Sequence, residues 1–246
     1  DLGDALAVAD PVVVLPAAVA LAVGLAFKVG AVPAHAWVPD VAQGAPLPSA
    51  AFLTVAPKVG GAVALARLVD QMPDTAGMAS AVAAVAALTM TLGNLAALRQ
   101  EDVRRLLGWS SVSQAGYAMA AVAAVGATPR AMPGLLLFLA TYAAGNTAAF
   151  AVVGALRGRT RLADWHGLVR TRPWLAWGMT IALLSLVGIP PLAGFAGKLG
   201  VFLALLDADL AWLAVLVVLN TVVSLAYYLR VVAAMHLRDH DGAPVH

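Results

Sequence analysis

Apolar residues run through this chain in long unbroken blocks, and Pro, Gly and charge separate one block from the next. Such blocks are too long for strands and too uniformly apolar for surface helices, so they read as membrane-spanning helices, each needing roughly 20 apolar residues. The pattern places them at about 12–32, 48–69, 77–98, 103–126, 132–156, 174–206 and 210–237. The expected fold is therefore all-α, a polytopic transmembrane helix bundle of about seven spans forming a single domain over residues 1–246. The sixth block is longer than one span needs. Its Gly188-Ile189-Pro190-Pro191 stretch ahead of Gly194 predicts a broken helix near 188–194, with the freed backbone groups held inside the bundle.

Composition agrees with the pattern. The residues are 62% hydrophobic and 11% charged, with a mean hydropathy of +0.88, which excludes a soluble globular domain. The chain has no cysteine, so disulfides, thiolate metal sites and iron–sulfur ligation by this chain are excluded, and any redox chemistry belongs to a partner. It opens at Asp1 with no basic region and cleavage signal ahead of the first block, and reads as a fragment or processed segment. The pI near 9.2 does not point to nucleic acid, because the arginines sit between apolar blocks, where they act as orientation signals.

With seven spans, one end of the bundle carries Arg99, Arg104, Arg105, Arg157, Arg159, Arg161, Arg170, Arg172 and Arg238, against Arg130 at the other. The second end holds Asp1, Asp4, Asp10, Asp70, Asp74, Asp207 and Asp209. This bias assigns the arginine-rich end, the loop from His35 to Pro48 and the C-terminus to the cytoplasm of a multi-pass cell-membrane protein. The charge runs Glu101 to Arg105 and Arg157 to Arg161 read as solvated loop or helix-end positions. The Ala/Val stretches Ala81 to Ala87 and Ala118 to Ala127 read as close helix contacts.

The chemical signal is the placement of lysine. Lys28, Lys58 and Lys198 are the chain's three lysines, and all fall within predicted spans. A charged amine at that depth costs several kcal/mol, so such residues face a bundle interior or wet cavity and mark ion pathways, unless the stem snorkels to the interface. Pro33, Pro57 and the pair Pro190-Pro191 each lie near one of these lysines, and an interrupted helix frees carbonyls that can hold water or a charge. No Asp or Glu falls within a predicted span, so an acidic partner is expected on another segment or subunit. His35 and His236 stand near span ends and read as packing or loop residues. Asn94, Asn146, Thr147, Asn220, Thr221 and Tyr227 read as helix-bridging polar groups. Ser110, Ser111, Ser113 and Gln114 crowd more of one helix than a single contact would use and are candidates to line a water chain, with Tyr117 as a supporting polar residue.

Three motifs resemble a known family. Phe27-Lys28-Val29-Gly30 with Val32-Pro33-Ala34-His35-Ala36-Trp37-Val38-Pro39-Asp40-Val41 and Gln43-Gly44-Ala45-Pro46 is similar to the signature of the antiporter-like membrane subunits of respiratory complex I, the bacterial NADH:quinone oxidoreductase. So are Gly93-Asn94-Leu95 with Arg104-Arg105-Leu106-Leu107-Gly108-Trp109-Ser110-Ser111-Val112-Ser113 and Gly116-Tyr117, and Gly188-Ile189-Pro190-Pro191-Leu192-Ala193-Gly194-Phe195-Ala196-Gly197-Lys198. The motifs occur in family order. Asp40-Val41 and Gln43-Gly44-Ala45-Pro46 favour the N type over the L and M types, and Lys198 argues against the M type.

The resemblance implies a proton-translocating subunit in which Lys28 and Lys58 serve one half-channel and Lys198 ends the second. It implies other complex I membrane subunits and the lipid bilayer as partners, with no nucleic acid. NADH, flavin, iron–sulfur clusters and quinone are expected on those partners, with no cofactor and no metal in this chain. Two departures stand out: Gln114 occupies a position where the family has His, so a titrating step there is replaced by one that orients water, and the glutamate that would pair with Lys28 belongs to helices upstream of this sequence. A sodium/proton antiporter subunit of the same fold and a structural scaffold with snorkelling lysines are the alternatives.

Overall fold

The computed structural model describes residues 11–72 and 77–237. Asp1, Asp4, Asp10, Asp74 and Arg238 lie outside the described residues. The rest form helices α1 (Pro11–Val29), α2 (Trp37–Gly44), α3 (Leu47–Gln71), α4 (Met78–Ala97), α5 (Val103–Ala123), α6 (Ala131–Ala155), a 3-10 turn (Leu162–Trp165), then α7 (Leu168–Thr171), α8 (Pro173–Val187), α9 (Ala193–Asp207) and α10 (Ala211–Leu237).

Five of these, α1, α3, α4, α6 and α10, are long and apolar enough to cross a membrane. The remaining two predicted spans differ for separate physical reasons. The fourth, α5, has the length but carries its serines, Gln114 and glycines in place of long apolar side chains. It is the innermost helix, buried almost continuously from Leu106 to Ala123 and packed against α2, α3, α4, α6, α9 and α10. Small residues permit that approach: a side chain at Gly93 of α4 would run into the backbone of Ser113, and one at Gly116 into the backbone of Met90. The sixth is broken as expected, into α8 and α9, each 15 residues long.

One expectation is corrected. The stretch from His35 to Pro48 is not simply a loop, because it contains α2, an eight-residue helix whose Val38, Pro39 and Ala42 are buried against α5 and α3. The first span accordingly ends at Val29, and α1 and α2 together form a second interrupted helix. Gly30 turns the chain at φ 81°, a left-handed conformation suited to glycine, and Trp37 Nε1 donates to the Phe27 carbonyl across the gap at 3.0 Å.

The sidedness deduced from charge is internally consistent. Asp102 and Arg161 form an isolated antiparallel bridge joining two arginine-rich connections, and Gly167 N donates to the Ala234 carbonyl near the end of α10 at 3.2 Å. At the opposite end Arg130 pairs with Asp207 at 3.2 Å. Two arginines not counted in the end clusters join them: half-buried Arg230 on α10 bonds the carbonyls of Leu98 and Gln100, either side of Arg99 at the arginine-rich end, and Arg67 pairs with Asp70 at 3.9 Å at the other end, so that end carries two arginines.

Candidate functional site

Lys58 sits midway along α3, directly after Pro57, and is 1% exposed. Its Nζ donates to the Ser111 carbonyl of α5 at 2.7 Å. One turn earlier on α3, the Thr54 carbonyl accepts from the Tyr142 hydroxyl at 2.6 Å and from Ser111 Oγ at 3.3 Å. Ser111 Oγ lies 2.7 Å from the Tyr142 hydroxyl, and Asn146 Nδ2 donates to Thr54 Oγ1 at 3.0 Å. Helices α3, α5 and α6 thus build a cage of neutral oxygens beside the amine, which itself bonds the Ser111 carbonyl.

Lys198 lies on α9, four residues beyond Gly194, and is 7% exposed. Its Nζ donates to the Val187 carbonyl at 2.9 Å and to Thr221 Oγ1 of α10 at 3.4 Å, and stands 4.2 Å from the centre of the Tyr117 ring. Val187 ends α8, and the last carbonyls of a helix have no partner within it. The break therefore creates the acceptor that the lysine uses. Gly188, at φ 90°, is fitted to this turn twice over, since a Cβ there would also lie 3.0 Å from Lys198 Cδ. Gly194 N donates to Ser185 Oγ at 3.2 Å, and no side chain at Gly194 would clear the Ser185 carbonyl.

The two lysine sites meet at a small cavity of about 10 Å³ lined by Gln114, Tyr142, Ser185, Leu186, Gly194 and Lys198, among others. Tyr142 belongs to the Lys58 cage, so one partly open space touches Lys198 and the edge of that cage, with room near the lower limit for a single water. Gln114 spends its amide on the Leu186 carbonyl at 3.0 Å, which turns the side chain across the gap. Ser113 Oγ and Asn146 Oδ1 are buried with no protein partner. On its outer side Lys198 also borders a cavity of about 240 Å³ between α9 and α10, together with Gly188 and Thr221. Among the described residues the ion pairs fall on Arg67, Arg105 and Arg130, and neither buried lysine has a carboxylate partner.

The other predicted residues are distributed unevenly. Lys28 was expected in a bundle interior, but it is exposed in the last turn of α1. That helix packs chiefly on α3, and the lysine stem runs over Gly61, three residues from Lys58. Pro33 follows the turn that ends α1, and half-buried His35 contacts the Pro33 carbonyl at 3.1 Å and the Trp109 ring at 5.5 Å, outside the lysine cage. Ser110 meets the Tyr228 hydroxyl, while Pro190 and Pro191 occupy the α8–α9 break. Asn94, Asn220 and Tyr227 build a separate network between α4 and α10, His236 meets Thr180 Oγ1 at 3.0 Å, and Thr147 faces outward.

Arg104 and Arg105 add a contact that the sequence did not show. They stand at a helix end as expected, in the first turn of α5, but they are bonded there: Arg104 Nε donates to the Ala42 carbonyl at 2.8 Å and its terminal nitrogen to the Ala45 carbonyl, while Arg105, partly exposed, pairs with Asp40 at 2.8 Å and bonds Gln43 at 3.0 Å. Carbonyls at a helix C-terminus lack internal partners and carry partial negative charge, which draws a guanidinium to them. Thr54, Tyr142 and Tyr228 were missed. Their signal was spacing, with Thr54 one turn before Lys58 and Tyr142 one turn before Asn146.

Residues 7–224 match the family described as NADH:quinone oxidoreductase/Mrp antiporter, transmembrane. The chain is 51% identical over 233 residues to NADH-quinone oxidoreductase subunit N of Mycobacterium sp. (strain JLS), covering 95% of this chain and 50% of that protein. It is also 51% identical to subunit N 1 of Streptomyces griseus, covering 92% of this chain and 49% of that protein. Among solved structures it is similar to a chain of respiratory complex I from Thermus thermophilus with bound aureothin, at TM-score 0.79 and 36% identity over 92% of this chain and 52% of that one. A chain of the Mrp complex from Dietzia sp. gives TM-score 0.87 at 25% identity, covering 100% and 46% respectively. This chain spans about half the length of the curated relatives it matches.

Proposed function

The chain belongs to the NADH:quinone oxidoreductase/Mrp antiporter transmembrane family, and from that premise we propose that it is part of an N-type subunit of NADH:quinone oxidoreductase, moving protons across the membrane through Lys58 and Lys198. The observation that carries the reading is the pair of buried amines bonded only to neutral oxygens, with Tyr142, Gln114 and a water-sized cavity between them. An amine held this way has no fixed countercharge, so its protonation follows the field around it, and a charge change in a neighbouring subunit can drive it. Tyr142 and Ser111 carry hydroxyls that pass a proton along the cage, and Gln114, which cannot titrate, orients water in the gap.

Electron transfer, with its NADH, flavin, iron–sulfur clusters and quinone, belongs in this reading to partner subunits, and the arginine-rich end faces the cytoplasm. Lys28, exposed on α1, takes its acidic partner from outside the described residues. The likeness to the Mrp complex supports a second reading, sodium/proton exchange without an electron donor. Inside-out vesicles decide between them. NADH-driven proton uptake that is lost in Lys58→Ala and in Lys198→Ala, at matched assembly, supports the first; proton movement driven by a sodium gradient without NADH supports the second. Uptake unchanged in both variants contradicts either.

A further inference from the structure

The α2 helix lies between the Lys58 amine and the arginine-rich end. Gly30, at the inner end of the interruption, is so close to the amine that a Cβ there would stand 3.4 Å from Lys58 Nζ and 2.5 Å from Val38 Cγ2. Val38 is fully buried in the first turn of α2. From that point α2 runs outward and joins α3 through Ala45 and Pro46, so the helix that carries Lys58 starts where α2 stops. Its fit on α5 is close: a side chain at Gly108 would meet Pro39 Cα at 2.7 Å and Ala42 Cβ at 2.8 Å.

We propose that α2 is a plug closing the Lys58 cage toward the arginine-rich end, and that Arg104 is the positioning residue that holds it in place. Eight residues do not make a stable helix unaided, and α2 shows no side-chain cap at its N-terminus. Its C-terminal carbonyls at Ala42 and Ala45 are satisfied by the half-buried guanidinium of Arg104, one turn ahead of Gly108 on α5. Arg105 differs, because it reaches only the exposed side chains of Asp40 and Gln43 and is worth little. Both arginines touch α2, but Arg104 alone bonds its backbone. Releasing that grip lets α2 lift and water reach the amine. The plug rests on packing alone; its bearing on protons rests on the function proposed above.

The absence of cysteine makes the test direct. Ala31, fully buried beside Gly30, becomes the chain's single thiol as Ala31→Cys in the assembled complex, probed with a membrane-impermeant thiosulfonate applied from the arginine-rich side. Slow labelling is expected with Arg104 intact and with Arg105→Ala, and labelling faster by about tenfold or more with Arg104→Ala, since charge-assisted bonds to two carbonyls are lost. Arg104→Gln carries the same expectation at smaller size should Arg104→Ala fail to assemble. Rapid labelling with Arg104 intact, or no acceleration in either Arg104 variant, overturns the proposal. Passive proton leak in Arg104→Ala that disappears with Lys58→Met ties the plug to the proton route; faster labelling without leak keeps the plug and counts against that route.

Discussion

Lys58 and Lys198 each lie beside a helix interrupted at a left-handed glycine, Gly30 at φ 81° and Gly188 at φ 90°, yet the two amines use the interruptions differently. Lys198 rides on the second half of its broken helix and takes the carbonyl that the break exposes at Val187. Lys58 rides on the uninterrupted α3 and takes a carbonyl of the central helix, Ser111. Near Lys58 the break brings Gly30 against the amine, and near Lys198 it supplies a ligand. The surroundings follow the same division: Lys58 lies beside the cage of Thr54, Ser111 and Tyr142, whereas Lys198 borders an outer cavity and leans on an aromatic face.

The largest effects that test this contrast come from the glycines. Gly30→Ala is expected to cost about 2–5 kcal/mol, combining a left-handed alanine with a collision at Val38. The second part is removable: adding Val38→Ala should restore about 1–3 kcal/mol in the thermal inactivation of the solubilised complex. Gly188→Ala meets Lys198 itself, so no neighbour can be trimmed to relieve it without losing the amine, and proton uptake should fall further than stability does. Rescue of Gly188→Ala by a change elsewhere on α9 would erase the distinction.

The tyrosines give the next effect. Tyr142→Phe removes the donor to the Thr54 carbonyl and the hydroxyl oxygen that Ser111 Oγ meets in the Lys58 cage, at about 1–3 kcal/mol. Tyr117→Phe keeps the ring that faces Lys198 and loses a buried hydroxyl that meets Thr221 at 3.4 Å and also interacts with Asn94 and Ser113, so its cost should be smaller, about 0.5–1.5 kcal/mol. Equal melting shifts for the two would mean that the sites are built alike. Smallest of all, Thr221→Val removes the longer of the two bonds from Lys198, and a change under about 0.5 kcal/mol in stability is expected, with uptake nearly retained.

What was legible in the sequence follows from which interactions are local. The seven apolar blocks, the break at Gly188 and the burial of Lys58 and Lys198 were readable, because run length, Pro/Gly punctuation and the cost of an amine in lipid are properties of short segments. The α2 helix was not readable, since Trp37–Gly44 is too short to show periodicity and is finished by arginines 60 residues away. The exposure of Lys28 was not readable for a related reason: which side of α1 faces α3 is decided by packing, and the sequence leaves it open. The polar run Ser110 to Gln114 marked α5 as unusual, and its burial at the bundle centre bears that out. Thr54 and Tyr142 left a trace only in their one-turn spacing from Lys58 and Asn146, which by itself does not separate them from ordinary helix-bridging groups.

The central claim is that the two lysines are consecutive stations of one route, joined at Gln114 and Tyr142. Protons taken up per NADH oxidised, measured in vesicles carrying Lys58→Ala, Lys198→Ala and the double variant at matched assembly, test it most directly. Stations in series predict that each single variant loses the same share of the uptake and that the double variant loses no more; a double variant that loses the sum of two separate shares would contradict the account.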